Sequence, residues 1–403
     1  MTLLSATSLR SHWLLDEAVT FLNHGSFGAC PREVLAFQSE LRHSIEREPV
    51  NFFVRELEPL LDALRVRLGQ LLSAAPKDLA LVPNATAGCN AVLASFPLAD
   101  GDEVLVTSHG YNAVNNAAAR WAEPRGAKVR FAPLPFPVAS ADVIVASVEA
   151  AISPRTRLLV IDHVTSPSAL VLPVKQLVDV AHKHGCEVLV DGAHAPGMFA
   201  LDVPSLGAGY YTGNLHKWVC APKGAAFLWV REDLQARLQP IVTSHGRNAQ
   251  RTDRSRFQLE FDWTGTDDPT AQLSVPKALD FLEGISEGSL ATHYAINHAL
   301  LLQARELLCR RLGLEAPAPS ELLGTMVTLP LPDRPEHEAD IPGLPGYADP
   351  LQKRLVDEHR IQVPIINWPT PRSRFFRVSA QRYNELADYE RLADALESLL
   401  GRS

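Results

Sequence analysis

From residue 79 onward, short apolar runs alternate with helical stretches of roughly ten residues or more, and that alternation restricts the chain to one class of architecture. The runs at 79–82, 103–107, 128–132, 158–161, 187–190 and 225–230 are strand-sized. Strands separated by helices make βα units, whose parallel strands form a sheet covered on both faces. An α/β fold with a mostly parallel central sheet is therefore expected. Ligands in such sheets bind beyond the carboxyl ends of the strands, so the residues after each run are the ones to inspect.

Ahead of the runs lie two helical patterns, 32–47 and 57–72. In the second, Leu57, Leu60, Leu61, Leu64, Leu68, Leu71 and Leu72 form an apolar stripe that reads as core or as a subunit interface. A chain of 403 residues with 46% apolar content suggests two domains. We place a short segment at 1–25, a large domain at 26–275 and a smaller C-terminal α+β domain at 276–403. The small domain is expected to hold a helix over 276–312, a strand over 325–331, a proline-rich acidic loop over 332–347 and a helix over 349–360. Strands over 361–366 and 375–379 and a closing helix over 384–399 complete it.

A formal net charge of -8 argues against nucleic-acid binding, which needs a basic surface. The five cysteines, at 30, 89, 186, 220 and 309, show no CxxC pairing, which points to a reducing compartment. The first residues carry no secretion signal, and the longest apolar runs fall far short of a membrane span. A cytoplasmic protein with no membrane partner is expected.

The strongest chemical signal is Tyr210-Tyr211-Thr212-Gly213-Asn214-Leu215-His216-Lys217-Trp218, which sets one lysine between a glycine hinge and a tryptophan. Its neighbours Leu215, Trp218, Val219, Cys220, Ala221 and Pro222 favour a neutral, nucleophilic amine over a hydrated ammonium. Lys217 reads as an imine-forming lysine. Such a lysine invites pyridoxal 5'-phosphate (PLP), which also needs a carboxylate for its pyridine nitrogen, backbone N–H groups for its phosphate and a flat face for its ring.

Each of these stands at the end of an upstream run. Pro83-Asn84-Ala85-Thr86-Ala87 ends the first, and Ala85, Thr86 and Ala87 open a helix whose free N–H groups suit a phosphate, although an ordinary N-cap explains the same pattern. Tyr111 follows the second, placed either to stack on a ring or to pack beneath a helix. Thr165 follows the fourth and offers a hydroxyl to a ring oxygen or the phosphate; Asp162 beside it reads as structural. Asp191-Gly192-Ala193-His194 ends the fifth. A carboxylate there costs several kcal/mol to desolvate unless it meets a cation or a strong donor, and a pyridinium N–H is one. His194, three residues on, is a candidate contact for the ring oxygen, although a lone histidine also reads as a structural residue.

Near the start, Phe21-Leu22-Asn23-His24-Gly25-Ser26-Phe27-Gly28 carries two glycines that let the backbone approach something bulky, or that merely make a turn. Asn23 in this segment is a candidate substrate contact. Two competing readings fail. Gly207 to Gly213 mimics a dinucleotide fingerprint, but its third glycine is one place late and no capped helix follows. The pairs Asp191 with His194 and His182 with His184 lack further convergent ligands for a metal.

Together with Arg377-Val378-Ser379-Ala380-Gln381-Arg382-Tyr383-Asn384, these motifs resemble class V aminotransferase-fold PLP enzymes, within them the isopenicillin N epimerase-like branch, from about residue 20 to the C-terminus. The resemblance implies the aspartate aminotransferase fold type I, an imine at Lys217, Asp191 on the pyridine nitrogen, His194 beside the ring oxygen and Tyr111 stacked on the ring. It further implies phosphate contacts from Ala85, Thr86, Asn214 and His216, and a homodimer in which the partner lends Thr266. Arg377 matches the arginine that clamps the substrate carboxylate, and a guanidinium offers the two parallel donors this needs. The activity implied is epimerisation or transamination at Cα of an amino acid or an amino-acid-containing peptide. The alternatives are a carbon–sulfur lyase acting on cysteine conjugates or sulfoxides, and a non-catalytic α/β ligand-binding protein. No cysteine follows Cys309, so desulfuration through a cysteine nucleophile in the small domain is not expected.

Overall fold

The computed structural model describes residues 9–342 and 347–401, so part of the expected loop over 332–347 lies outside the described residues, at 343–346. A two-residue strand, β1 (Thr20–Phe21), precedes helices α1 (Arg32–Arg47) and α2 (Leu57–Leu72), which begin and end where the apolar spacing predicts. The stripe of α2 is mostly inward: Leu57, Leu61, Leu64, Leu68 and Leu72 are buried, whereas Leu60 is exposed.

The chain then winds strand against helix: β2 (Leu79–Val82), α3 (Ala85–Ser95), β3 (Glu103–Thr107), α4 (Asn112–Ala122), β4 (Lys128–Ala132) and α5 (Ala141–Ala151). After these come β5 (Thr156–Asp162), α6 (Val174–Lys183), β6 (Glu187–Asp191), β7 (Tyr210–Asn214) and β8 (Ala226–Val230). The seven strands form one sheet in the order β2-β8-β7-β6-β5-β3-β4. Only β8 runs against its neighbours. Along β5, Leu159 and Ile161 join the core on one face, and Leu158 and Val160 join the core on the other. That double burial is why the strands read as continuous apolar runs rather than as alternating ones.

β7 is the strand that periodicity alone did not delimit. Gly213 is not a hinge but a buried position within β7, where a Cβ would come within 2.7 Å of the Pro196 ring and 2.9 Å of Phe227. Close packing, not flexibility, fixes a glycine there.

Beyond the sheet, α7 (Val275–Gly284) and α8 (Leu290–Leu312) replace the single helix expected over 276–312. The break follows from turn chemistry: Glu287 and Gly288 take left-handed backbone angles, and Ser289 caps α8 by accepting the Thr292 N–H. β9 (Met326–Leu331), α9 (Pro350–His359), β10 (Ile361–Gln362), β11 (Ile365–Asn367), β12 (Arg374–Ser379) and α10 (Leu386–Leu399) follow. The strand expected over 361–366 is split at Pro364, which has no N–H to give a ladder. β10 pairs with β1, and β11 joins the antiparallel sheet β11-β12-β9. The N-terminal segment is thus stitched to the C-terminal elements. We propose a domain division at 275/276, one residue inside α7. No helix among the described residues is long and apolar enough to cross a membrane.

Candidate active site

The carboxyl ends of β2, β3, β5, β6 and β7 surround a cleft of about 410 Å³. Its wall includes Thr86, Tyr111, Asp162, Asp191, His194 and Lys217, six side chains from five separate strand ends. The parallel arrangement aims these ends one way, and the expected convergence follows from it.

Lys217 leaves the end of β7 on a turn, half-buried, with its Nζ 3.2 Å from Nε2 of His194. Burial and, after it, the positive charge of Arg377 pull the lysine down to about 7, against the opposing pull of Asp191 and Asp162. A neutral amine is therefore accessible near neutral pH. His194 is buried; desolvation, then the charges of Lys217 and Arg377, hold its imidazole neutral. Its Nδ1 is buried without a partner.

Asp191 ends β6, and its Oδ1 accepts the Ala193 N–H at 3.0 Å. Burial raises its carboxyl above the usual range, while the Ala193 N–H and the Lys217 charge oppose that. Asp162, directly beside it in register on β5, also faces the cleft and is pushed well above the usual carboxylate range by burial and by the charge of Asp191. Two carboxylates this deep call for a cation. The register that pairs them was not readable from sequence, which had marked Asp162 as structural.

At the opposite wall, Asn84 caps α3 by accepting the Ala87 N–H at 2.8 Å, and Asn214 Oδ1 accepts the Ala85 N–H at the same distance. Ala85 and Ala87 thus already have acceptors, and Thr86 lies between them on the cleft wall. His216 donates from Nδ1 to the Ala225 carbonyl at 3.0 Å and lines the cleft, its value lowered to about 4 by burial. Tyr111 precedes α4 and is 45% exposed on the cleft.

Other expected residues lie further off. Thr165 turns into its own loop, 2.7 Å from the Ser168 hydroxyl, and its neighbour Ser166 faces the cleft instead. Arg377, on β12, is buried behind the wall: Nη2 donates to the Ser26 hydroxyl at 2.9 Å and Nη1 to the Ser166 carbonyl at 2.6 Å. Burial lowers its guanidinium to about 10, still cationic at neutral pH. Asn23 donates to the Tyr347 hydroxyl at 3.2 Å, and its Oδ1 has no partner. Thr266 is exposed and does not line this cleft. Ser26 and Lys223 line it without having been singled out. Ser26 lies in the glycine-bearing segment at 21–28, and nothing in the local sequence marks Lys223, because tertiary packing brings it there.

A family model described as aminotransferase class-V matches residues 31–337. The chain belongs to this family. Its class V relatives include an isopenicillin N epimerase of Amycolatopsis lactamdurans, 37% identical over 96% of this chain and 96% of that protein. A putative L-cysteine desulfhydrase 1 of Oryza sativa subsp. japonica is 33% identical over 99% of this chain and 87% of the relative. Among solved structures, the cysteine desulfurase CsdA of Escherichia coli superposes with a TM-score of 0.78 at 20% identity, covering 99% of each chain. A variant of C-DES with glycine covalently linked to the PLP cofactor superposes with a TM-score of 0.77 at 21% identity, covering 96% of this chain and 98% of that one. The fold is that of the PLP-dependent class V enzymes, and PLP is the cofactor. The site fits it: the unpartnered His194 Nδ1 and the buried Asp191 are, respectively, a polar atom in want of a partner and a carboxylate in want of a cation.

Proposed function

We propose that the protein is a PLP-dependent enzyme that removes the Cα proton of a small α-amino acid and expels a sulfur substituent from Cβ. The contact of Lys217 with His194 at 3.2 Å, in a cleft backed by Arg377, supports the proton removal, and the likeness to L-cysteine desulfhydrases supports sulfur as the leaving group. On this reading Asp191 meets the pyridine nitrogen, His194 Nδ1 the ring oxygen, Tyr111 the ring face, and Thr86, Asn214 and His216 the phosphate. Thr266 reaches the same phosphate in the partner subunit of a homodimer.

Bound there, PLP supplies an electron sink for negative charge at Cα. Arg377, whose buried Nε has no partner, takes the substrate carboxylate on two parallel N–H donors. Lys217, near its midpoint at neutral pH, takes the Cα proton and returns one to the departing sulfur, so a single side chain serves both transfers. Cα–H and Cβ–S break and Cα=Cβ forms. The sulfur leaves with the bonding pair, and water converts the remainder to a 2-keto acid and ammonia. Among the described residues no cysteine lines the cleft, so no cysteine nucleophile is invoked.

Epimerisation is the second reading, favoured by Tyr111, a phenol on the cleft wall that can return a proton from another direction. Both relatives quoted above sit at comparable identity, one in each camp. The test is proton NMR of the holoenzyme in heavy water with L-amino acids and cysteine S-conjugates. Pyruvate with a released thiol or sulfenate supports elimination. Deuterium at Cα with the D-enantiomer supports epimerisation and overturns the first reading, and absence of both across the panel overturns the small-amino-acid assignment.

A further inference from the structure

The segment Asn23 to Gly28 lies between the lysine and the carboxylate-binding arginine, and it touches both. On one side, a Cβ at Gly28 would come within 2.5 Å of the His216 carbonyl and 2.6 Å of the Lys217 carbonyl, so the backbones are pressed together. On the other, Ser26 holds Arg377 Nη2, the Gly25 N–H donates to Ser379 Oγ at 3.1 Å, and Ser379 N–H donates to the Leu22 carbonyl at 2.9 Å. Ser379 is two residues from Arg377 on β12.

Within this spacer His24 is fully buried and its ring rests on Trp218, with centroids 4.9 Å apart. Its Nε2 is 2.9 Å from the Lys217 carbonyl oxygen. A carbonyl only accepts, so Nε2 carries the hydrogen. Nδ1 is then the acceptor, and it receives the Tyr383 O–H at 2.7 Å. Tyr383 follows Arg377 by six residues, is buried, and is wedged edge-on against Trp13 at 5.0 Å. The chain Tyr383 O–H to His24 to Lys217 carbonyl therefore runs from the small domain to the backbone of the lysine. Burial, which lowers the imidazole to about 3, keeps that tautomer neutral.

We propose that His24 is a positioning residue: with Tyr383 it fixes the spacing between Lys217 and Arg377, and so makes the site selective for amines that carry an α-carboxylate. The inference rests on Arg377 as the carboxylate clamp. An amine bound at the lysine gains from Arg377 only if the two stand a fixed distance apart, and misplacement by about 1 Å costs up to about 10²-fold in such arrangements. A carboxylate-free amine makes no use of that spacing.

The test compares L-alanine with ethylamine, which differ only by the carboxylate. Rates of reaction with the holoenzyme are followed by the absorbance of bound cofactor, alongside PLP content and the thermal transition. Tyr383→Phe, which removes one hydroxyl, and His24→Leu are expected to slow L-alanine by about 10–100-fold and leave ethylamine within about twofold. His24→Gln, whose amide can still donate to the Lys217 carbonyl, is expected to restore most of the rate. Equal slowing of both amines, or no change in either, overturns the proposal. If His24→Leu fails to fold, Tyr383→Phe still decides. A wild-type enzyme that does not prefer L-alanine, or an Arg377→Met variant that keeps the preference, overturns the arginine assignment and the inference with it.

Discussion

Nζ of Lys217 and Nε2 of His194 stand 3.2 Å apart although the residues leave different strands, β7 and β6. The contact joins a lysine brought near neutrality to an imidazole held uncharged, so neither repels the other near neutral pH.

Replacing that lysine isolates its part in the chemistry. Lys217→Ala is expected to lower turnover by at least about 10²–10⁴-fold, with PLP bound loosely and lost on gel filtration. Borohydride reduction should fix cofactor to the wild type and not to the variant. A variant with full activity would remove Lys217 from the mechanism.

The titration of Lys217 is open to direct measurement. Capture of PLP by the unloaded protein requires the neutral amine, so its rate should rise with pH through an inflection near 7 and then level off. Removing the guanidinium charge in Arg377→Met, the second cause of the lowered value, should shift the inflection to higher pH. Stopped-flow absorbance across pH 6 to pH 10, roughly the span between the lowered and ordinary lysine values, reads both.

Asp162 bears on stability in the unloaded protein. Its folded value lies above the ordinary carboxylate value of about 4, so the stability it contributes is whole below that value and is lost as pH rises toward the folded one. Asp162→Asn removes the group whose ionisation burial penalises and should stabilise the unloaded protein at pH 7 by about 1–3 kcal/mol, with the advantage fading toward pH 4. Denaturant unfolding at the two pH values checks the sign, and a variant less stable at neutral pH would show that the carboxylate has found a favourable partner.

Asn214 serves the N-terminus of α3 as well as the cleft. Asn214→Ala leaves the buried Ala85 N–H without its acceptor and is expected to cost about 1–3 kcal/mol. The same variant should bind PLP more weakly than pyridoxal-sized analogues without phosphate predict. Denaturant unfolding of the unloaded protein and cofactor titration separate the two effects.

The amino-acid sequence by itself determined the α/β class, six of the seven strands of the large sheet and the bounds of α1 and α2, and it singled out the lysine, aspartate and arginine of the proposed site. These are local facts: double burial writes an apolar run, helical burial writes a stripe, and a lysine or carboxylate at a strand end stands out against its neighbours. The tertiary structure alone decided which groups meet. Asp162 reads as structural until register sets it beside Asp191. Thr165 and Ser166 are adjacent in sequence, yet the loop closes on the first and turns the second to the cleft. His24 reads as part of a turn until the fold places Lys217 on one of its nitrogens and Tyr383 on the other, 193 and 359 residues away along the chain. Hydrogen bonds over such separations leave no periodic trace, because they depend on where the sheet and the C-terminal elements finally pack and not on the spacing of any one segment.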